Sequence, residues 1–280
     1  MAIYPGVPSP TQHAYIDGAY LRQRLAEYSR RYFGAAQIEI DYERMFTGCE
    51  KKFYYDCLPP RLGNETDEAF RAREASIRTF FDSLSELPGF HVYEGKIAGQ
   101  GERARQKGVD VALAVHMLSQ AVQGTVRKFT LVAGDADFEP LAHAVVQAGA
   151  YLTLWADRKS VAKSLVRAVD VLQPITVNQL LGWASQTFRA AHPMPELSQL
   201  FTIEPDGLAL ARTGTLSNGH EAFLYTGNGR TFVIYRSSAT HFMHIRWHTP
   251  EAAMDLAADL GADIQWTPDR FVHVRSRRGQ

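Results

Sequence analysis

Up to about residue 175, short apolar runs alternate with segments that carry apolar residues at helical spacing. Buried strands are predicted at HAYIDGAYL, KKFYYDCLP, FHVYEGKIA, KFTLVAGD and YLTLWA. Helices are predicted at LRQRLAEYSRRYF, ETDEAFRAREASIRTFFDSLSEL, KGVDVALAVHMLSQAV, FEPLAHAVVQAG and SVAKSLVRAVDVL. This alternation favours a mostly parallel α/β sheet with helices on both faces. The third helix is apolar almost all round, so we expect it to be buried on most faces.

The pattern changes after about residue 190. AAHPMPELSQ contains Pro193 and Pro195 and is typical of a linker. Two Asn-Gly pairs then separate β-type runs, which predicts hairpins. THFMHIRWH follows as a strand and TPEAAMDLAADLG as a helix, with Thr249 at its N-cap and Pro250 at its first position. We therefore predict two domains, residues 1–190 and a small antiparallel α+β domain over residues 196–280.

Composition narrows the possible classes of protein. The 280 residues include 45% hydrophobic residues, so the chain can bury a core. Thirty Lys and Arg residues balance thirty Asp and Glu residues, so a polyanionic partner would need a local basic patch. Cys49 and Cys57 do not form a CxxC motif, and we expect them to be reduced core thiols. With no secretory signal or run long enough to span a membrane, a soluble cytoplasmic protein is expected.

Four aspartates are the candidate functional residues of the predicted sheet. Asp17 follows the first predicted strand, Asp135 and Asp137 follow the fourth, and Asp110 opens the third helix. The carboxyl ends of parallel strands meet at one edge of a sheet, so these acids can converge there. Carboxylates suit Mg²⁺ or Mn²⁺, and pairs of such ions hydrolyse phosphodiesters in other enzymes.

The stretches YIDGAYLR, QKGVDVALAVHML and TLVAGDADFEPLAHAVVQAG together resemble the NYN domain, a branch of the PIN-like ribonucleases. The resemblance covers roughly residues 12–175. It implies a PIN-like sheet, followed here by the small α+β domain. It also implies that Asp17, Asp110, Asp135 and Asp137 bind Mg²⁺ or Mn²⁺, and that the activity is hydrolysis of RNA, which we expect to be single-stranded.

Two positions depart from the family pattern. Tyr20 stands where these domains usually have Asn, and His116 stands where the helix usually carries a further Asp. His116 lies about 120° around the helix from Asp110, so the two side chains need not share a face. His116 is therefore either a core histidine or an additional metal ligand, and we include Tyr20 among the candidate substrate contacts.

Simpler roles exist for several candidates. Asp137 could be the N-cap of the helix that follows it, and Asp110 could cap its own helix, which is compatible with metal binding. Lys107 could meet a phosphate or pair with an acid. Arg103 and Arg105 could form the basic patch that a net-neutral RNA enzyme needs, or lie in a solvated loop.

The C-terminal domain carries aromatic residues that could stack with bases, although most are expected to be core because alternate strand positions are buried. They are Phe223, Tyr225, Phe232, Tyr235, Phe242 and Trp247. We assign this domain to no family, and expect it to position RNA, a protein partner or a second copy of the chain.

Three functions are compatible with these features to different degrees. The first is a metal-dependent endoribonuclease. The second is a catalytically weak RNA- or nucleotide-binding regulator, marked by Tyr20 and His116. The third is a phosphatase that uses an aspartyl nucleophile, but Ala19 occupies the position where the second acid of such enzymes is needed.

Overall fold

The computed structural model describes residues 11–63, 65–98, 105–203 and 207–268. The chain forms two compact units. The first consists of residues 1–27 and 38–175, and the second of residues 28–37 and 176–280. None of the helices in the described ranges is both long enough and apolar enough to cross a membrane. Each unit is built around its own sheet.

The strands of the first unit are β1 (Gln12–Asp17), β2 (Lys51–Cys57), β3 (Phe90–Ala98), β4 (Arg105–Lys107), β5 (Lys128–Val132), β6 (Tyr151–Ala156) and β7 (Val171–Pro174). Its helices are α1 (Gly18–Tyr32), which continues into the second unit, α2 (Tyr42–Met45), α3 (Asp67–Ser85), α4 (Val109–Gln123), α5 (Glu139–Gln147) and α6 (Lys163–Arg167). The five predicted strands and five predicted helices are present. The helix predicted over SVAKSLVRAVDVL is shorter than expected, because its last residues begin β7.

Within the described residues the first sheet has seven strands in the order β4-β3-β2-β1-β5-β6-β7. All neighbouring pairs are parallel except β3 and β4, which are antiparallel. Helices cover both faces. On one face the ring of Tyr54 contacts Phe80 and Phe81 of α3. On the other, Tyr15 and Phe53 contact His116 of α4. The predicted fold class is confirmed.

The prediction that α4 is buried on most faces is wrong. Val111, Val115 and Val122 are 66%, 60% and 71% exposed. Their spacing puts them on one side of the helix, while Leu113 and Met117 on the other side are fully buried against the sheet. Apolar composition alone could not reveal this, since exposure depends on which helices pack alongside. Cys49 and Cys57 are buried and free, as expected.

The second unit contains α7 (Val177–Trp183), α8 (Gln186–Ala191), β8 (Glu196–Leu200), β9 (Ala209–Leu216), β10 (Glu221–Gly227), β11 (Arg230–Arg236), β12 (Phe242–Trp247), α9 (Pro250–Asp259) and β13 (Ile264–Trp266). The sheet has the order β13-β9-β10-β11-β12-β8, and its pairs are antiparallel. The expected Asn-Gly turns and the Thr249 cap are present. Part of the predicted linker is instead β8, an edge strand that pairs with β12.

Candidate active site

The candidate site lies at the carboxyl ends of the central strands of the first sheet. β1 lies between β2 and β5, and the chain adds strands β2 and β3 on one side of β1 before it crosses to β5 on the other. This reversal creates a crevice between β1 and β5, the place where open parallel sheets bind ligands. Asp17 ends β1, and Asp135 follows β5 by three residues. The strand order therefore brings the ends that carry these two acids side by side.

Asp17 is held beside other carboxylates. Its Oδ1 accepts a hydrogen bond of 3.0 Å from the backbone N–H of Tyr20 in the first turn of α1. Burial raises the pKa of Asp17 to about 6, and repulsion from Asp110 and Asp56 adds to the shift although the Tyr20 bond opposes it. A carboxylate in this position is costly as an anion unless a cation approaches it.

Asp110 completes the group from α4. This helix begins after Gly108, which has a positive φ of 85°, and no side chain caps it. Asp110 is thus in the first turn without serving as the cap. Partial burial raises the pKa of Asp110, and repulsion from Asp135 and Asp137 raises it further. These shifts mean that the acids from β1, α4 and the end of β5 lie close enough to repel one another.

Asp135 is the N-cap of the short 3₁₀ turn Ala136–Phe138 that leads into α5. Its Oδ1 accepts a hydrogen bond of 3.1 Å from the N–H of Asp137. The alternative in which Asp137 capped the helix is wrong, since the N-cap position of α5 is Phe138 and Asp135 caps only the preceding 3₁₀ turn. Both carboxylates are exposed, so a substrate can reach them.

Two further aspartates at the strand ends were missed as site residues in the sequence. Asp56 is in β2 and Asp157 directly follows β6, so adjacent strands β2, β1, β5 and β6 all run into an aspartate. The same rule that selected Asp17 would have found both. They differ from Asp17 because α1 supplies each with an arginine. Arg22 contacts Asp56 at 2.5 Å and Arg24 contacts Asp157 at 3.5 Å.

The contrast defines the site. No Lys, Arg or His whose side chain the structure describes forms an ion pair with Asp17, Asp110, Asp135 or Asp137; the side chains of Lys96, Arg105 and Lys107 are not among those described. Arginines of α1 thus neutralise Asp56 and Asp157, whereas Asp17, Asp110, Asp135 and Asp137 have no such partner among the described side chains. Such a donor set suits a hard divalent cation. Among the described residues, however, no three Asp, Glu, His or Cys side chains are arranged to hold an ion as they stand.

Tyr20 supports the loop that carries Asp135. A Cβ added at Gly134 would overlap the Tyr20 ring, so the ring packs directly on this backbone. The Tyr20 hydroxyl accepts a hydrogen bond of 2.9 Å from the N–H of Asp157. Tyr20 therefore links α1 to the loops after β5 and β6. Its predicted contact with substrate stays a prediction.

His116 lies in an aromatic layer between α4 and the sheet. Its Nδ1 is 2.5 Å from the Tyr55 hydroxyl, and its Nε2 is 2.9 Å from Nε2 of Gln120. Burial lowers the pKa of His116, and the neighbouring His13 and His91 lower it further. A role as metal ligand would require one of these hydrogen bonds to break, and that role is untested.

The basic candidates lie largely outside the described residues. Arg105 and Lys107 are at the ends of β4, where Lys107 pairs with Lys96, but only their backbone is described. Arg103 lies outside the described ranges. Their proposed contacts with RNA remain predictions.

A parallel α/β sheet with an acidic crevice beside its central strand is the architecture of a PIN-like domain. The chain belongs to the NYN domain family, whose model matches residues 35–176. The match includes Asp110, Asp135 and Asp137, while Asp17 and Tyr20 precede it. Among curated proteins, none matches the chain significantly.

Two solved structures show weak similarity. One is a protein of unknown function from Vibrio parahaemolyticus, with 15% identity and a TM-score of 0.43 over 65% of this chain and 100% of that one. The other is the UDP-N-acetylglucosamine 3-dehydrogenase GnnA from Acidithiobacillus ferrooxidans, with 10% identity and a TM-score of 0.23 over 92% and 90%. Both scores are too low to carry an argument about fold or function.

Proposed function

We propose that the protein is a metal-dependent endoribonuclease that hydrolyses phosphodiester bonds of single-stranded RNA at Asp17, Asp110, Asp135 and Asp137. The observation that carries the proposal is the absence, among the described residues, of any basic partner for these four acids, although Asp56 and Asp157 beside them have one. Membership of the NYN family, a branch of PIN-like nucleases, supports the reaction class.

The four carboxylates would hold one or two Mg²⁺ or Mn²⁺ ions. A bound divalent ion would lower the pKa of an attacking water and neutralise charge on the leaving oxygen. The protein contributes orientation. The N–H of Tyr20 fixes Asp17, the N–H of Asp137 fixes Asp135, and the Tyr20 ring supports Gly134 between the two strand ends. Arg103, Arg105 and Lys107 are proposed to attract the RNA phosphates.

A catalytically weak RNA- or nucleotide-binding regulator is the second candidate. It is favoured by the lack of a ready-made ligand group in the described residues and by Tyr20, whose hydroxyl is bonded to Asp157. In that case the acids would bind a cation without supporting turnover.

Cleavage of a labelled single-stranded RNA in Mn²⁺ or Mg²⁺ tests the proposal. We expect cleavage by the wild type, no cleavage in chelator and none by Asp135→Asn. The amide oxygen of Asn can still accept the bond from Asp137, so the turn and the fold should be kept. Asp82→Asn removes an exposed carboxylate from α3 and is the matched control.

Equal cleavage by wild type and Asp135→Asn would show that the activity lies elsewhere or comes from a contaminant. Metal binding by the wild type without cleavage of any RNA would favour the regulator.

A further inference from the structure

The sheet of the second unit has one face that is buried along its central strands and one that is only partly covered. Side chains alternate between the faces along each strand. The buried set is Ala222, Leu224, Val233, Tyr235, Ile245 and Trp247, with at most 6% exposure. The alternate positions include Phe223, Tyr225, Phe232 and Phe242, all half-buried. We call these four rings the aromatic face.

The strand register places the rings beside one another. Tyr225 pairs with Phe232 across β10 and β11, and Phe232 pairs with Arg246 of β12. The rings of Phe223 and Tyr225 are 6.3 Å apart along β10. Directly paired residues of antiparallel strands project to the same side, so these groups form one continuous surface.

Arginines stack on two of the rings. Cζ of Arg246 lies 4.4 Å from the centre of the Phe232 ring, and Cζ of Arg236 lies 5.3 Å from that of Phe242. The Arg246 side chain is 45% exposed and its ion pair with Glu196 spans 3.1 Å. A pair this exposed is weak, so a phosphate could replace Glu196.

The middle of the same face is closed. Ile234 is fully buried and His244 is 6% exposed. Nε2 of His244 is 2.9 Å from the carbonyl oxygen of Thr202, in the segment that follows β8. The open part therefore lies along the row Leu210, Tyr225, Phe232 and Arg246, where Leu210 is 51% exposed.

The charge on this face favours a polyanion. On this side of the sheet, strands β8 and β10 to β12 carry three basic residues and two acidic ones, so the face has a small positive charge whereas the whole chain is neutral. The basic residues are Arg230, Arg236 and Arg246, and the acidic ones are Glu196 and Glu221. Two of the arginines lie over rings, and a base can stack on a planar guanidinium group as it does on a ring. A purely apolar protein partner would desolvate these guanidinium groups without offering them an anion, which is costly.

We propose that the aromatic face binds single-stranded RNA, with bases stacked on Tyr225 and Phe232 and phosphates bound by Arg246 and Arg230. Sheets in other RNA-binding modules use exposed rings in this way to stack two or three bases. The inference rests on the proposed nuclease function for its biological sense, because it gives the substrate a second contact away from the acids.

The test is fluorescence anisotropy of the full chain with a 5′-labelled single-stranded RNA of about 12 nucleotides, in chelator so that nothing is cut. We expect Tyr225→Ala and Phe232→Ala each to weaken binding by about 5- to 150-fold, the range measured for loss of one base–aromatic stack. Tyr225→Phe should bind normally. Tyr151→Ala removes a 48% exposed ring from β6 and is the matched control.

Arg246→Ala should lower the salt dependence of binding by about one unit of slope, because one phosphate contact is lost. If Phe232→Ala does not fold, crosslinking of the wild type to RNA that contains 4-thiouridine should still label β10 or β11.

Unchanged affinity of folded Tyr225→Ala and Phe232→Ala, or crosslinks confined to the first unit, would overturn the inference. If those variants bound RNA normally while Asp135→Asn abolished cleavage, the proposed nuclease function would be supported and RNA binding by the aromatic face would be rejected. The face would then be available to a protein partner. If they lost RNA binding and the wild type did not cleave RNA, RNA binding by the aromatic face would be supported and the proposed nuclease function would be rejected.

Discussion

The two sheets of the protein offer different places for function. The parallel sheet of the first unit has helices on both faces, and its central strands β1, β2 and β5 are buried except near their ends. The antiparallel sheet of the second unit has one face that is buried along its central strands, and the alternate side chains of those strands stay partly accessible. The first sheet therefore concentrates charged groups at its edge, while the second can display a surface.

The difference is visible in two strands. In β5 every residue after Lys128 is buried, and the polar chemistry begins only with Asp135. In β10 the buried Leu224 lies between the half-buried Phe223 and Tyr225. A residue of β5 cannot contact a large ligand without disrupting the core, whereas every second residue of β10 can. This predicts that the two regions govern different steps of one reaction.

The largest expected effect separates turnover from binding. Asp17→Asn should lower kcat for RNA cleavage by more than about 100-fold, because even groups that only orient metal ligands contribute 10- to 100-fold. Phe232→Ala should instead raise KM with kcat nearly unchanged, since stacking on the second sheet is shared by ground state and transition state. Steady-state kinetics in Mn²⁺ measure both. A drop in kcat alone for Phe232→Ala would contradict the division of roles.

The next effect concerns the cation and needs no turnover. Mn²⁺ at a hundred times its Kd should stabilise the wild type by about 2.7 kcal/mol. Asp17→Asn should lose most of this gain, and Tyr225→Ala should keep it. Thermal melts with and without Mn²⁺ measure the shift in Tm, with Asp82→Asn as the control for loss of one carboxylate. An equal shift in Asp17→Asn would remove that residue from the site.

A smaller effect concerns the aromatic layer under α4. Burial lowers the pKa of His116, so its protonation opposes folding, and this stability is present above the ordinary pKa of about 6.5 and is lost as the pH falls. Burial raises the pKa of Asp17 to about 6, which acts in the opposite direction: its contribution is lost as the pH rises from about 4 to 6.

As the pH falls from 7 to 5, the free energy of unfolding of His116→Phe should therefore decrease less than that of the wild type, because the variant lacks the protonation of His116. His13, whose pKa is also lowered by burial, still titrates in the variant, so some dependence should remain. Thermal melts of the wild type and His116→Phe between pH 5 and pH 7 measure this difference in stability. If His116→Phe instead changed the preference between Mg²⁺ and Mn²⁺ with no change in the pH profile, the role as metal ligand would be supported.

The smallest effect tests whether the two sheets fold separately. Pro193 and Met194 are exposed, between the end of α8 and the edge strand β8. A broad-specificity protease should cut first at residues 192–195, before it cuts inside β9 to β12. Mass spectrometry of the early products identifies the site. First cuts inside β9 to β12 would argue against the predicted boundary between residues 190 and 196.

Much of the first unit could be read from the chain. The bounds of β3 and β6 agree with the predicted runs, because Gly or polar residues flank each run. The placement of Asp17 and Asp135 at one end of the sheet could also be predicted, because the carboxyl ends of parallel strands lie on the same side. The Asn-Gly hairpins and the Thr249 cap were also readable, because turn and cap chemistry depends on a few adjacent residues.

Other features depended on what packs against each element. The sequence by itself determined that strands end in aspartates. The tertiary structure decided that α1 brings arginines to Asp56 and Asp157 and, among the described side chains, brings none to Asp17, Asp110, Asp135 and Asp137. It likewise decided that Val115 of α4 is exposed and that Tyr235 is buried while Tyr225 is not. The physical reason is that charge pairing and exposure arise between residues distant in the chain, whereas propensity and capping are local.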